Sequence, residues 1–390
     1  MLEKLVVGIL LTMSCTSVLA QPLIDTLNVD LAATSRYYFE ETATPEIGID
    51  DIAYGARGEV QAAHRFGVIK LDAKIFANWD SADDNRRYTD IRQVKVSGRW
   101  GNISAAAGIE TFFWGVSESI NLVNVINQSD IRESLDTKVK QGQTFASLSY
   151  RLAAGELAVY FLPTFTARDF PLRPAYGLPI SEKNTFEDNK EDGGIAARGL
   201  FYVDDLEFAV GYFSGTRRDP LLIPSQQTKQ LIPYYIQTDN LLFDAVYLTD
   251  LLTYKWEFKT GREFEHGFVA SNIGIEYPLY VFEDTIQDLV VITEYVFDDR
   301  GSRAESHGQN DLFIGTKFEF AENAAQIRLL YSYDFDYASQ YAELSCQYRL
   351  SDYLRIKAKV MGVLSASQDD RRLYALKNEE FAKFSLHYAF

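Results

Sequence analysis

Segments of about ten residues that alternate apolar and polar side chains follow one another along almost the whole chain. Side chains of a strand point to opposite faces with a period of two, so each segment reads as a strand with one apolar face. The candidates are 27–38, 54–64, 67–79, 89–100, 102–110, 143–153, 155–164, 194–203, 205–214 and 232–248. They continue at 251–262, 268–280, 287–298, 311–320, 325–334, 339–350, 352–363 and 381–390. That makes eighteen strands, or sixteen if 232–250 and 263–286 divide differently. Their connections alternate short and long. Trp100-Gly101-Asn102, Val203-Asp204-Asp205 and Leu350-Ser351-Asp352 are short; 39–53, 80–88, 111–142, 165–193, 215–231, 299–310 and 364–380 are long. In an antiparallel sheet this parity puts every long connection at one end, which a soluble sandwich or propeller has no reason to do. No internal repeat suggests a propeller. The expected fold is all-β: a transmembrane antiparallel β-barrel with short periplasmic turns and long extracellular loops.

The two faces of the strands differ in chemistry. One carries Ile69, Leu71, Ala73 and Ile75, or Tyr254, Trp256 and Phe258, or Leu354, Ile356, Ala358 and Val360. Charge is absent there, as lipid contact requires. The opposite face carries Arg57, Lys70, Lys74, Lys95 and Arg99 near the start of the chain, and Arg355, Lys357, Lys359 and Lys383 near its end. Closing a barrel pairs the last strand with the first, so these residues form one basic ladder on a continuous lumen wall, with Asp30, Glu59 and Asp72 among them. The long loops are acidic instead, with Asp80, Asp83 and Asp84 in one and Glu182, Glu187, Asp188, Glu191 and Asp192 in another. An acidic vestibule over a partly basic lumen is the expectation. A net charge of −17 excludes a nucleic-acid-binding surface.

The final strand is Phe381-Ala-Lys-Phe-Ser-Leu-His-Tyr-Ala-Phe390, with Phe384, Leu386, Tyr388 and Phe390 on one face. It resembles the last strand of Gram-negative outer-membrane β-barrels. The resemblance implies that these four residues are the signal read by the barrel-assembly machinery, and that the outer membrane is the destination. Residues 1–20 read as a signal peptide: Lys4, an apolar run from Leu5 to Met13, and a small-residue site before Gln21. The run is too short for a membrane helix. Residues 21–390 then form a single barrel domain. Its 24 Tyr and 26 Phe suit aromatic girdles at the two membrane interfaces.

Segment 111–142 differs from the acidic loops. Ile120, Val123, Val125, Ile126 and Ile131 are too apolar to leave in water. A place for them is the inner wall of the barrel, where the loop would narrow the pore. Its Trp114-Gly115 pair, followed by Asn121, Asn124, Asn127, Asp130 and Arg132-Glu133, resembles a segment of porin-like barrels, namely the alginate-export group and related uncharacterised families. Trp114, Glu118, Asn121, Asn124, Asn127, Asp130, Arg132 and Glu133 are the candidate pore constriction; their amides and charges can replace water around a small polar solute. The alternative is that they peg the loop to the wall.

No catalytic motif is present: the chain has four His and no G-x-S-x-G or H-E-x-x-H string. Cys15 and Cys346 supply no metal site, and neither metal nor cofactor is expected. The expected function is a porin or selective channel for small polar or anionic solutes. The other readings are a non-transporting barrel that acts as scaffold for a lipoprotein or envelope complex, and, further off, an outer-membrane hydrolase. Expected partners are membrane lipid, lipopolysaccharide and the assembly machinery, with a homo-oligomer or a lipoprotein partner left open.

Overall fold

The computed structural model describes residues 24–40, 50–134, 138–173, 178–279, 286–320 and 324–390. The signal peptide expected at 1–20 lies outside the described residues. The strands are β1 (Thr26–Tyr38), β2 (Ile52–Phe66), β3 (Ile69–Asp80), β4 (Tyr88–Trp100), β5 (Ile103–Glu110), β6 (Gln143–Leu152) and β7 (Gly155–Leu162). Then come β8 (Thr185–Phe186), β9 (Gly194–Val203), β10 (Leu206–Thr216), β11 (Leu221–Ser225), β12 (Gln230–Tyr235), β13 (Gln237–Leu248) and β14 (Thr253–Glu263). The last are β15 (His266–Leu279), β16 (Ile286–Asp298), β17 (Asn310–Phe320), β18 (Ala325–Asp334), β19 (Gln340–Arg349), β20 (Leu354–Ser365) and β21 (Phe381–Ala389).

All but β8, β11 and β12 belong to one 18-stranded antiparallel sheet in which each strand pairs with the next along the chain. β1 also pairs with β21, from Asp30 opposite Ala389 to Tyr38 opposite Phe381, and closes the sheet. Val29 and Phe390 exchange both backbone hydrogen bonds at 2.9 and 3.0 Å. Closure satisfies the backbone of every strand without water, which is what a bilayer demands. The register keeps apolar residues together on the outer face: Ile75 lies opposite Ile91 and Leu71 opposite Val96. Tyr348, Ile356 and Leu386 align across β19, β20 and β21. Phe66, Trp100, Tyr202, Tyr348 and Tyr388 ring the short-turn end, and Tyr37, Tyr54, Trp79 and Phe297 the other; all are exposed. An apolar belt this extensive is stable only in lipid.

Three features depart from the sequence expectation. Segment 232–248 is not one strand, because Gln230–Tyr235 pairs with Leu221–Ser225 in a hairpin above the barrel, with Thr185–Phe186 added in parallel. Pro233 has no N–H for a barrel ladder, so the barrel strand starts only at Gln237. In β4 the register shifts between Lys74 and Ile75, where Gln93 and Ile91 are their partners. Arg92 is the extra residue of this bulge, and it turns inward with Gln93 beside it. Finally, loop 364–380 folds a short helix, Arg371–Leu376, into the mouth. Its Leu373 packs on the inward-facing Tyr38, Tyr341, Met361, Val363 and Phe381.

Leu329 lies midway along β18 on the outer face. Leu329→Arg is expected to destabilise the barrel by about 2–4 kcal/mol in lipid vesicles, read from the denaturant midpoint of refolded protein.

Candidate functional site

Segment 111–142 leaves the end of β5 and runs against the inner wall. Glu257, from the inward face of β14 and fully buried, receives it. The N–H groups of Val116 and Ser117 donate to one carboxylate oxygen at 2.7 and 2.8 Å, and Asn121 Nδ2 donates to the same oxygen at 2.9 Å. The N–H groups of Leu122 and Val123 donate to the other at 2.6 and 3.3 Å. A buried carboxylate is tolerable when it is this fully hydrogen-bonded. Gly115 makes the approach possible: its φ is +121°, and a Cβ there would meet Asn121 Nδ2 and Glu257 Oε1 at 2.8 Å.

Glu294 on β16 repeats the arrangement one turn of the loop later. It accepts from the N–H of Glu118 at 2.6 Å and of Ser119 at 2.7 Å. The Glu118 side chain then faces three cations of the wall, Lys255 at 3.3 Å, Arg328 at 3.5 Å and Lys317 at 3.9 Å. At the far end of the segment Glu133 meets Arg57 at 2.7 Å and also Arg92. Asp130 accepts from Tyr88 OH at 2.7 Å, while Arg132 lies over the Tyr88 ring and pairs with Asp169 at 3.0 Å. Apolar packing fills the span between. Trp114, Val123, Val125 and Ile126 bury against Phe145, Leu162, Phe213 and Leu242 of the wall, and Ile120 and Leu122 against Ala270, Val296 and Phe313.

This geometry separates the eight candidate constriction residues. Trp114, Asn124, Asn127 and Asp130 are buried, and Asn124 and Asn127 border an internal cavity beside the segment. Asn127 is a staple: its side chain accepts from Phe112 N–H at 2.9 Å and donates to the carbonyls of Glu110 and Gln141 at 2.8 Å, tying the two ends of the segment together. Asn121 serves Glu257. Glu118, Arg132 and Glu133 keep some exposure, with side chains 21%, 12% and 10% accessible, and face the lumen. Asn124 and Asn127 turn their amide oxygens to the loop backbone, and Asp130 is engaged by the Tyr88, Arg92 and Arg132 side chains, so these three help peg the segment.

The basic ladder divides similarly. Lys70 pairs with Asp72 at 2.6 Å, Lys74 with Glu59 at 3.4 Å, and Lys95 with Glu110. Lys359 pairs with Glu343 at 2.9 Å. Arg99, Arg355, Lys357 and Lys383 form no ion pair among the described residues. Register places Lys359, Lys383 and Arg36 side by side on β20, β21 and β1, all pointing inward. Sequence parity supplied this face but not Arg92, whose bulge reverses the parity. It also gave no hint of which wall residue would meet which loop residue, so Glu257 and Glu294 were missed.

The loops above the barrel are less acidic inside than their composition suggests. Glu182, Asp188 and Glu191 are exposed on the rim, but beneath them lies a layer of arginines. Asp219 is held by Arg168, by Arg372 at 3.0 Å and by Arg217 at 3.3 Å. Burial opposes its charge, yet the three guanidiniums bring the Asp219 carboxyl down to about 2. Arg300 links Glu263 and Asp298, each at 2.6 Å, and Arg173 links Glu379 at 3.3 Å. His307 sits between the Phe313 and Tyr341 rings, 5.8 and 5.6 Å away. Burial, with Arg372 adding to it and Asp370 opposing, lowers its pKa to about 4, so it is neutral at pH 7. Cavities run in sequence from the outer face past Arg168 and Arg372, then past Ser306 and His307, to Glu118, Arg328 and Lys359.

The chain is therefore a porin-like transmembrane β-barrel of the outer-membrane kind. No family model matches it, and no curated protein does. Among solved structures it is similar to a triple mutant of the Rhodopseudomonas blastica porin, with 12% identity, 94% of this chain and 99% of that chain covered, and a TM-score of 0.45. It is also similar to a loop-deletion mutant of OmpT, an outer membrane protein of Vibrio cholerae, with 10% identity, 94% and 98% coverage and a TM-score of 0.45.

Glu257→Ala leaves several buried N–H groups without an acceptor, at about 1–3 kcal/mol each. Amide exchange at Val116, Ser117 and Leu122 is expected to rise at least about tenfold while the barrel strands stay protected. His307 has a folded pKa below its unfolded value, so its contribution to the loop layer is complete above about pH 6.5 and is lost as pH falls toward 4. Exchange protection of 299–310 should decline over that window, and His307→Phe should flatten the decline.

Proposed function

We propose that the chain is an outer-membrane channel for small polar solutes, with a preference for anions set by the inward row Lys359–Lys383–Arg36. The single observation that carries this reading is the register itself: three cations stand directly opposite one another on adjacent strands, and among the described residues only Lys359 has a carboxylate in ion-pair contact. Directly opposed like charges destabilise a sheet, so fold stability does not account for the row. An anion passing between it and the segment that carries Glu118 and Glu133 would be met by fixed positive charge on one side. Segment 111–142, laid across the lumen between β14–β18 and β2–β4, is the narrowing element in this reading.

A second reading draws on the loop layer. Arg372 joins the helix-bearing loop to Asp219, and Arg173 joins loop 165–173 to Glu379, so ion pairs cross the mouth. A barrel sealed by these pairs would be a scaffold for a lipoprotein or another envelope component rather than a channel. Neither reading gives the chain an enzymatic role: His307 is enclosed by aromatic rings, and His266 opens an exposed turn.

Reversal potentials in a planar bilayer under a salt gradient test the proposal. The expected result is conductance with chloride more permeant than potassium, and a shift toward cations in Lys383→Glu. Cation preference in the unmodified protein would sink the anion reading, and absence of conductance would favour the sealed barrel.

A further inference from the structure

The outermost cavity in that sequence has a composition unlike the others. It measures about 490 Å³ and lies between the hairpin β11–β12 and the helix Arg371–Leu376. One part of its wall is apolar: Phe170, Pro220, Leu221, Leu222, Leu231 and Tyr374. The rest is polar and mostly cationic: Arg168, Arg303, Arg371 and Arg372, with Ser302 and Gln368, and with Asp219 as the one acid among the described lining residues. Asp219 is already shared among Arg168, Arg217 and Arg372, so it has no capacity left for the remaining two guanidiniums. Arg303 and Arg371 are exposed and form no ion pair among the described residues.

The walls are also fixed in place. Asp370 caps the helix by accepting from Leu373 N–H at 3.0 Å, and Leu373 and Ala375 are buried. On the other side Leu222 pairs with Pro233 and Leu221 with Tyr234 in the hairpin, which the parallel strand Thr185–Phe186 braces. Arg303 is set by a tight turn whose N–H donates to Arg300 O at 3.1 Å. A preformed cavity of this size with an apolar body and a few convergent polar groups is the usual form of a small-molecule site. Planar guanidiniums recognise a carboxylate through paired hydrogen bonds, and the apolar wall takes the hydrocarbon part.

We propose that this cavity binds an amphipathic monocarboxylate, an aromatic or medium-chain aliphatic acid, with Arg303 and Arg371 holding the carboxylate and Leu221, Leu222 and Tyr374 packing on the hydrocarbon. Its inner end shares Arg168, Asp219 and Arg372 with the cavity that leads past His307, so the ligand sits over the lumen and not against lipid. Binding here does not depend on conduction, and it is read directly.

The test is fluorescence titration of the full-length refolded protein with 2-naphthoate, with 2-naphthalenemethanol as its uncharged counterpart. Expected are saturable binding of one 2-naphthoate per chain, at least tenfold weaker binding of the alcohol, and no competition from acetate at the same concentration. The double variant Arg303→Gln/Arg371→Gln should bind 2-naphthoate at least tenfold more weakly. Both residues are exposed, and unchanged heat-modifiable migration on gels confirms that the variant folds. Leu222→Ser, with the arginines intact, should weaken 2-naphthoate without restoring any preference for acetate. Equal binding of the acid and the alcohol, or unaltered affinity in the double arginine variant, would overturn the proposal. Either result leaves the bilayer measurement of anion preference unaffected.

Discussion

The interior of this barrel depends on one buried carboxylate. A closed sheet of eighteen strands is self-sufficient in its backbone hydrogen bonds, but it leaves a wide lumen that nothing in the strands themselves fills. Glu257 supplies the anchor by gathering four backbone N–H groups and the Asn121 amide of segment 111–142. Each donor would otherwise be an unpaired group at the bend of a loop buried away from water. With the bend fixed, Glu294 takes the next two amides, Trp114 and Val123 reach the apolar wall, and Glu118 and Glu133 are carried to opposite sides of the lumen. Gly115 belongs to the same constraint, since any side chain there would occupy the space of the carboxylate.

The lumen consequently has two unlike walls. From β6 to β17 apolar inward residues, Phe145, Phe213, Leu242 and Phe313 among them, lie under the segment, interspersed with the charged Lys255, Glu257, Glu294 and Lys317 that hold it. From β18 round to β3 it is charged, and only its upper edge is covered, where the helix Arg371–Leu376 rests on Met361 and Val363. The apolar inward residues explain where each loop can go: a loop carrying aliphatic side chains finds a partner on the wall only where the inward parity is itself apolar. The division of the lumen is therefore written into alternate residues of the strands.

That division was partly legible in the sequence. Period two located the strands and their faces, since it requires only local alternation; the shift of 232–248 came from Pro233, a single missing donor that alternation does not register. The apolar content of 111–142 showed that the segment must pack, but the partners of its polar residues are long-range choices. Asn127 could as well have faced solute as the carbonyls of Glu110 and Gln141. Arg92 is not among the inward residues that alternation picks out, because a bulge shifts parity without a clear mark in composition. The arginine layer does not show in the net charge of the loops, because Arg217 and Arg300 are buried among acids, Arg168 is half-buried against Asp219, and the exposed acids lie outside them.

The row of Lys359, Lys383 and Arg36 also says something about water. Neighbouring strands are about 4.8 Å apart, and side chains directly opposite are separated by roughly that distance at their origins. Two unit charges about 5 Å apart repel by about 0.8 kcal/mol in water and about 3 kcal/mol at an effective dielectric of 20. Lys359 has Glu343 to offset it, while Arg36 donates to Tyr38 OH at 3.0 Å and lies 5.4 Å from the Phe381 ring. Lys383, at the centre of the row, forms no ion pair among the described residues, and the Glu133 carboxylate, held by Arg57, is the countercharge that acts on it across the lumen. Repulsion along the row rises several-fold as the effective dielectric falls from that of water. Removing water from this charged strip therefore costs more than covering the apolar residues beneath segment 111–142, and that difference sets what each part of the lumen can carry against it.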